Sequence, residues 1–380
     1  MKNSIILFTA LLLLFSACKK DRKADIADQK PEPKTADMNA DPNSPFKFIG
    51  TTNLSEAKHN LAAASMGNKL FFAGGVRDHV FYSDKIDIYD VSVNTLSASP
   101  VNLSNPRAWL TAVAAGNQVF FAGGYNDSGN RKTVDIFDAQ SVQLIDPSSV
   151  LSERRSGIVS ATTGNKVIFA GGYSDGNAVS DIVDIYDLAT KSFISNNFKL
   201  SIARDYLSAA AAGTKIVFAG GSGKNGVVDA VDIYDVKDGA WDSSKKLSVA
   251  RKELTATDSG NLLFFAGGYT GTGISKTVDI YNVDTGNWEP TQELSEARYN
   301  LASAAIGDYV VFGGGHINNG LSDVMDIYNV RTKKWTTLKL SVARDNLVAA
   351  AAGNKLLFAG GQATDGGSSS VVDIFELQEK

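Results

Sequence analysis

The sequence predicts an all-β fold in which seven four-stranded antiparallel sheets follow one another radially about a narrow channel. Three observations predict it. A Leu-Ser motif recurs at Leu54, Leu103, Leu151, Leu200, Leu247, Leu294 and Leu340, in steps of 46 to 49 residues. Each unit then repeats the same parts: a basic residue three positions after the serine, a run of small residues, a tight turn, an apolar run ending in Gly-Gly, a variable loop, and a stretch like Val-Asp-Ile-Tyr. Finally, 35 glycines, 8 prolines and a 43% apolar fraction describe a turn-rich chain with ample material for a core. Repeats of this length cannot bury their apolar faces alone, so the units must stack on one another.

The first 45 residues stand outside the repeat. An apolar run from Ile5 to Phe15, broken only by Thr9, follows Lys2 and leads into Ser16-Ala17-Cys18. The run is well short of the ~20 residues that span a bilayer as a helix. It suits the apolar core of a secretory signal over residues 1–17. Phe15-Ser16-Ala17-Cys18 resembles the lipobox of bacterial lipoproteins, with Phe15 where leucine is usual. That resemblance implies cleavage before Cys18, lipidation of its thiol and, with Lys19 in place of an aspartate retention signal, an outer-membrane location in the cell envelope. An ordinary secretory signal cut near Ala17 is the alternative. Cys18 is the sole cysteine, which excludes an internal disulfide and any thiolate metal cluster. Residues 18–45, charged, proline-containing and poor in large apolar side chains, read as a disordered tether.

Residues 46–380 form the repeat domain, and each recurring part has a physical reason. "LAAASM", "LTAVAA", "LSAAAA" and "LVAAAA" are small-residue strands, suited to the crowded axis of a ring of sheets. Gly67-Asn68, Gly116-Asn117, Gly164-Asn165 and Gly353-Asn354 are expected to supply positive-φ residues for tight hairpins. "KLFFAGG", "QVFFAGG" and "KVIFAGG" read as buried second strands whose glycine pairs bend the backbone or admit a neighbouring sheet. "VDIYD" alternates as a third strand. Leu96, Leu144, Phe193, Trp241, Trp288 and Trp335 mark a fourth, outer one.

Paired glycines ending the second strand, an aromatic near the third and tryptophan on the fourth resemble the kelch repeat. The glycine pairs, from Gly74-Gly75 to Gly360-Gly361, match in all seven units, whereas the outer tryptophan is replaced in the first three. The resemblance implies a seven-bladed β-propeller. WD40 repeats would want Gly-His and Trp-Asp dipeptides in every unit, and each occurs once. The seventh unit ends after "VVDIFELQEK" without a fourth strand, while Phe48 precedes Leu54 by the same six residues that separate Trp241 from Leu247. The N-terminal segment is therefore expected to supply the missing outer strand and close the ring, hiding an open edge.

Two sets of loops share one face of such a ring. The entering loops carry Lys58, Arg107, Arg155, Arg204, Arg251, Arg298 and Arg344; the third strands carry Asp87, Asp135, Asp184, Asp232, Asp279, Asp326 and Asp373. Seven cations could form an anion site, yet seven matching aspartates make structural pairing the expectation. Recognition is expected where the units differ, just past each basic residue. The candidate binding residues are His59, Asn60, Trp109, Tyr206, Tyr299, Asn300, His316 and Asn346, a polar and aromatic set suited to peptide or sugar or, equally, to capping blade ends.

Charge and motifs narrow the function. With 37 basic against 41 acidic residues, net charge −4, nothing advertises nucleic acid. No cofactor and no metal are expected, and Walker or Rossmann glycine motifs are missing. The copper sugar oxidases among kelch propellers need a cysteine crosslinked to tyrosine, and Cys18 lies outside the repeat. Bacterial sialic acid mutarotases also resemble this fold, which, with only His59, His79 and His316 present, makes His59 or His316 with a nearby Asp or Glu the candidates for acid-base chemistry. The expectation is a lipid-anchored envelope protein, touching the membrane only through its lipid, that binds a protein or glycan on the loop face; the alternatives are a sugar-processing enzyme of mutarotase type and a subunit of a larger envelope complex.

Overall fold

The structure, a computed structural model, describes residues 44–78, 81–146, 149–176, 178–194 and 198–378. The signal segment, Cys18, nearly all of the tether, and His79 lie outside the described residues. Among the described residues there are seven sheets of four or more strands, every pairing antiparallel, and no helix. Blade 1 consists of Ala62–Met66, Lys69–Ala73, Ile86–Asp90 and Thr95–Ala98, from the innermost strand outward. Blades 2 to 6 repeat this order, with inner strands Thr111–Ala115, Val159–Thr163, Ser208–Ala212, Thr255–Ser259 and Ala302–Ile306. Blade 7 begins at Val348–Ala352 and takes its outer strand from the other end of the chain, Phe46–Asn53.

The inner strands define the ring. Each contacts the inner strand of the next blade, and Val348–Ala352 contacts Ala62–Met66, so the circle closes. Alternation along these strands points one set of side chains inward. Ala63, Ala112, Ser160, Ala209, Ala256, Ser303 and Ala349 are half-buried, whereas Ala64, Ala161, Ala210, Ala304 and Ala350, the next residues along, are buried between sheets. Neither set has room for bulk, because seven strands converge at the axis. The apolar second strands, such as Leu70 to Ala73 and Val119 to Ala122, are fully buried between neighbouring sheets.

Closure by the N-terminal strand is built into its register. Phe48 lies opposite Phe375, as Leu96, Phe193, Trp241, Trp288 and Trp335 lie opposite the aromatic of their own third strands. The rings of Phe48 and Phe375 meet edge-on at 5.4 Å. Phe46 and Phe48 are 2% and 4% exposed, and burying each stabilises the ring by about 1.5–3 kcal/mol. Ser44 and Pro45 lead into this strand: Ser44 is buried, and the Pro45 carbonyl accepts a hydrogen bond of 2.8 Å from the Gln378 amide.

One expectation needs correction. Gly67, Gly116, Gly164 and Gly353 take φ between 56° and 62°, but Asn68, Asn117, Asn165 and Asn354 do not share the left-handed conformation. A two-residue loop with positive φ only at its first position is the II′ hairpin, which asks nothing special of the second residue. The asparagines serve through their side chains instead. The amides of Asn117, Asn165 and Asn354 donate to Asp138, Asp187 and Glu376 at the far end of the third strand.

Candidate functional site

The basic residues and the aspartates meet as ion pairs inside the blades. All seven basic side chains are 0% exposed, and the pairs are Lys58–Asp87, Arg107–Asp135, Arg155–Asp184, Arg204–Asp232, Arg251–Asp279, Arg298–Asp326 and Arg344–Asp373. Burial lowers every one of these cations, Arg251 to about 10, against the opposing pull of its carboxylate. Terminal guanidinium nitrogens also reach backbone carbonyls, with Arg298 donating to Gly314 and Val324 and Arg344 to Gly360 and Val371, whereas Nε of Arg155, Arg204, Arg251 and Arg298 is buried without a hydrogen-bond partner among the described residues. The carboxylates also accept from the backbone amides of Ser55, Ser104, Ser152, Ser201, Ser248, Ser295 and Ser341, which ties each motif to the third strand of its own blade.

The same motif joins each blade to the next. The second glycine of every pair donates its amide to the carbonyl of the next blade's basic residue, from Gly75 to Arg107 at 2.9 Å round to Gly361 to Lys58 at 2.9 Å. A Cβ on the first glycine would stand 2.6 Å from that carbonyl at Gly74 and 2.4 Å at Gly220, so only glycine permits the approach. Both readings of the pair hold, since these glycines also take positive φ.

Two residues past each cation the chain turns over the channel mouth. Asn60, Trp109, Gly157, Tyr206, Glu253, Asn300 and Asn346 all have φ between 49° and 58°. Their backbones run head to tail: Trp109 donates to Asn60, Gly157 to Trp109, Glu253 to Tyr206, Asn300 to Glu253, Asn346 to Asn300, and Asn60 back to Asn346, at 2.9–3.1 Å. Glycine and asparagine are the residues that tolerate this conformation best, which accounts for four of the seven. Trp109, Tyr206 and Glu253 have no such excuse. Their side chains occupy a left-handed position at a backbone cost, which is the pattern expected where the side chain itself is used.

The residues just before this ring hydrogen-bond to the hairpins between the second and third strands, so both loop sets share one face. Backbone bridges join Ala108 to Tyr125, Tyr299 to His316 and His59 to Val76, and Ser156 pairs with Tyr173. Aromatic side chains gather there on blades 2 to 4. Trp109, Tyr125, Tyr173 and Tyr206, with Ser156 and Asp205, line a cleft of about 540 Å³. Trp109 packs edge-on to Tyr125 at 6.3 Å, and Tyr125 edge-on to Tyr82 at 6.1 Å. Trp109, Tyr125 and Tyr206 are 36–42% exposed. Burial pushes the Asp205 carboxyl up to about 6, with Lys252 pulling it down and Glu253 pushing it up.

The expected binding residues divide into three groups. Asn60, Trp109, Tyr206, Asn300 and Asn346 line the channel mouth together. Tyr299 and His316 lie apart from that lining, their rings 4.9 Å apart, and His316 Nδ1 is 3.4 Å from Asp345 Oδ2. Burial raises the Asp345 carboxyl against the pull of His316, and its Oδ1 is buried without a hydrogen-bond partner among the described residues. His59 is 7% exposed, with Nδ1 3.0 Å from the Ser368 hydroxyl, and the structure does not bring it to the mouth. Tyr125 and Tyr173 were not among the expected residues, while Asp205 stands directly after Arg204, where recognition was expected. Tyr125 and Tyr173 share one signal, an aromatic directly after Gly-Gly, which Tyr269 repeats in blade 5. Among the described residues no cluster of three or more histidine, cysteine, aspartate or glutamate side chains could hold a metal ion.

Ring closure, four-stranded blades and paired glycines define a kelch-type β-propeller. No protein-family model matches the chain, and no curated relative is found for it by sequence. Solved structures match in large number, 1502 chains, so the fold by itself selects no function. One is the structure of YjhT, with a TM-score of 0.60 and 16% identity, covering 76% of this chain and 99% of that one. At that identity the likeness concerns the fold.

Proposed function

We propose that the chain is a recognition protein of the cell envelope, anchored through Cys18, that binds a glycan or protein on the loop face without turning it over. The observation that carries this reading is the mouth ring: large side chains are kept at Trp109 and Tyr206, in a conformation that favours glycine, and both open onto the aromatic cleft. Aromatic faces beside a few polar groups suit the alternating apolar and hydroxylated surfaces of a sugar ring, so a glycan is the favoured ligand. A glycan array on the full chain, repeated with Trp109→Ala and Tyr206→Ala, tests it. Specific binding lost in both variants supports the reading; no binding to any glycan or protein panel refutes it.

A second reading, a sugar-processing enzyme of mutarotase type, is favoured by the contact between His316 and buried Asp345 beside Tyr299. A carboxyl raised by burial next to an imidazole has the make-up of a proton-transfer pair. An anomerisation assay separates the two: turnover abolished by His316→Ala would replace the binding role.

A further inference from the structure

We infer that the cleft on blades 2 to 4 takes a saccharide bearing a free amine and turns away acidic sugars. The inference rests on the glycan reading above and narrows it to one chemical class. The charge on this face has been sorted by the fold. All seven motif cations are buried and held by aspartate, so none reaches a ligand. What lines the cleft and the mouth is acidic, while exposed cations such as Arg154 and Lys224 stand on the surrounding loops. The cleft lining supplies Asp205 and no basic side chain, and the mouth ring supplies Glu253 and none. The seven inner strands carry a single charged side chain, Asp258.

The aromatic walls favour the same class. An ammonium over the face of tryptophan or tyrosine is attracted by the ring quadrupole, most strongly where water is excluded. The protein already makes one such contact, with Lys252 Nζ 5.1 Å from the centre of the Tyr206 ring. Lys252 and Glu253 answer each other at 3.4 Å, which leaves Asp205 as the charge in the cleft lining. An amine among Trp109, Tyr125, Tyr173 and Tyr206 would find ring faces and the Asp205 carboxylate. A sugar carboxylate would find Asp205, a like charge, and no basic side chain in the lining.

The groups facing Asp205 are Lys252 and Glu253 from blade 5, while Arg204 beside it is engaged by Asp232. Its carboxyl, held up to about 6 by burial, is ionised at neutral pH but poorly solvated, and an ammonium would supply the missing partner. Binding of an amine should therefore weaken as pH falls through that value.

The test is calorimetric titration of the full chain at neutral pH with four probes of matched length: oligomers of glucosamine, N-acetylglucosamine and galacturonic acid, and a lysine peptide. The glucosamine oligomer is expected to bind roughly tenfold tighter than its acetylated form, the galacturonate not at all. Asp205→Asn should remove that margin, and the wild-type ranking decides even if the variant misfolds. Equal affinity for the two glucosamine forms, or preference for galacturonate, would overturn the inference and leave the glycan reading standing. Binding of the peptide alone would overturn both, whereas binding of none of the four would overturn the inference and leave the glycan array to decide the wider reading.

Discussion

The two rings on the loop face, two residues apart in sequence, obey opposite rules. In the first, every position is basic, buried and paired with aspartate; in the second, backbone geometry is constant while side chains range from glycine to tryptophan. The first ring spends its side chains on holding a blade together. The second does its structural work with backbone amides and carbonyls alone, which leaves side chains free to differ. Repetition of a side chain marks the scaffold here, and repetition of a backbone angle without the side chain marks the surface open to recognition.

Both rings depend on closure, and breaking it should have the largest effect. Deleting residues 46–53 removes Phe46 and Phe48 and exposes the edge of blade 7. A loss of several kcal/mol is expected from two buried aromatics at about 3–5 kcal/mol each, read as a large fall in the melting temperature. An unchanged melt would show that the ring does not need this strand. Next comes the first ring itself. Arg298→Ala leaves Asp326 buried and unpaired, and a cost of about 3–5 kcal/mol is expected in urea unfolding. A cost below 1 kcal/mol would remove the scaffold from that half of the comparison.

The pH dependence sharpens the second half. The Asp205 carboxyl lies at about 6 in the folded chain, above its ordinary range near 4. Its protonated form therefore favours folding; that contribution is complete at the lower value and is lost as pH rises through the upper one. Asp205→Asn should stabilise the neutral-pH protein by ~1–2 kcal/mol, discounted for the open cleft, and have little effect in acid. Equal effects at both pH values would place the carboxyl in its ordinary range. Smallest of the set is Glu253→Gly, which copies Gly157 into another blade. Relief of the left-handed backbone should raise stability by about 0.5–1 kcal/mol, and a loss of similar size would mean that the Glu253 side chain, not the backbone, holds the turn.

The sites of agreement and surprise follow the same division. Ion pairing of the two charged series was legible because seven copies of each lay in register. His59 looked like its neighbours along the chain, yet packing against Ser368 buries it. The asparagines at positions 60, 300 and 346 looked like recognition residues, and the backbone accounts for them first, since left-handed φ selects for asparagine. Tyr125 and Tyr173 were visible as residues after Gly-Gly but not as the walls of one cleft. Tyr125 meets Trp109 within blade 2, and only the turn of the ring sets Tyr173 of blade 3 and Tyr206 of blade 4 beside them.

Periodicity alone determined the strand order, the number of blades, the small residues at the axis and the source of the closing strand, because each is a constraint repeated in every unit and so written many times over. Tertiary structure alone decided which side chains share a cleft, which charges stay accessible and which histidine is buried. Those properties depend on distances between neighbouring blades, and residues some fifty positions apart in sequence become neighbours only when the ring shuts.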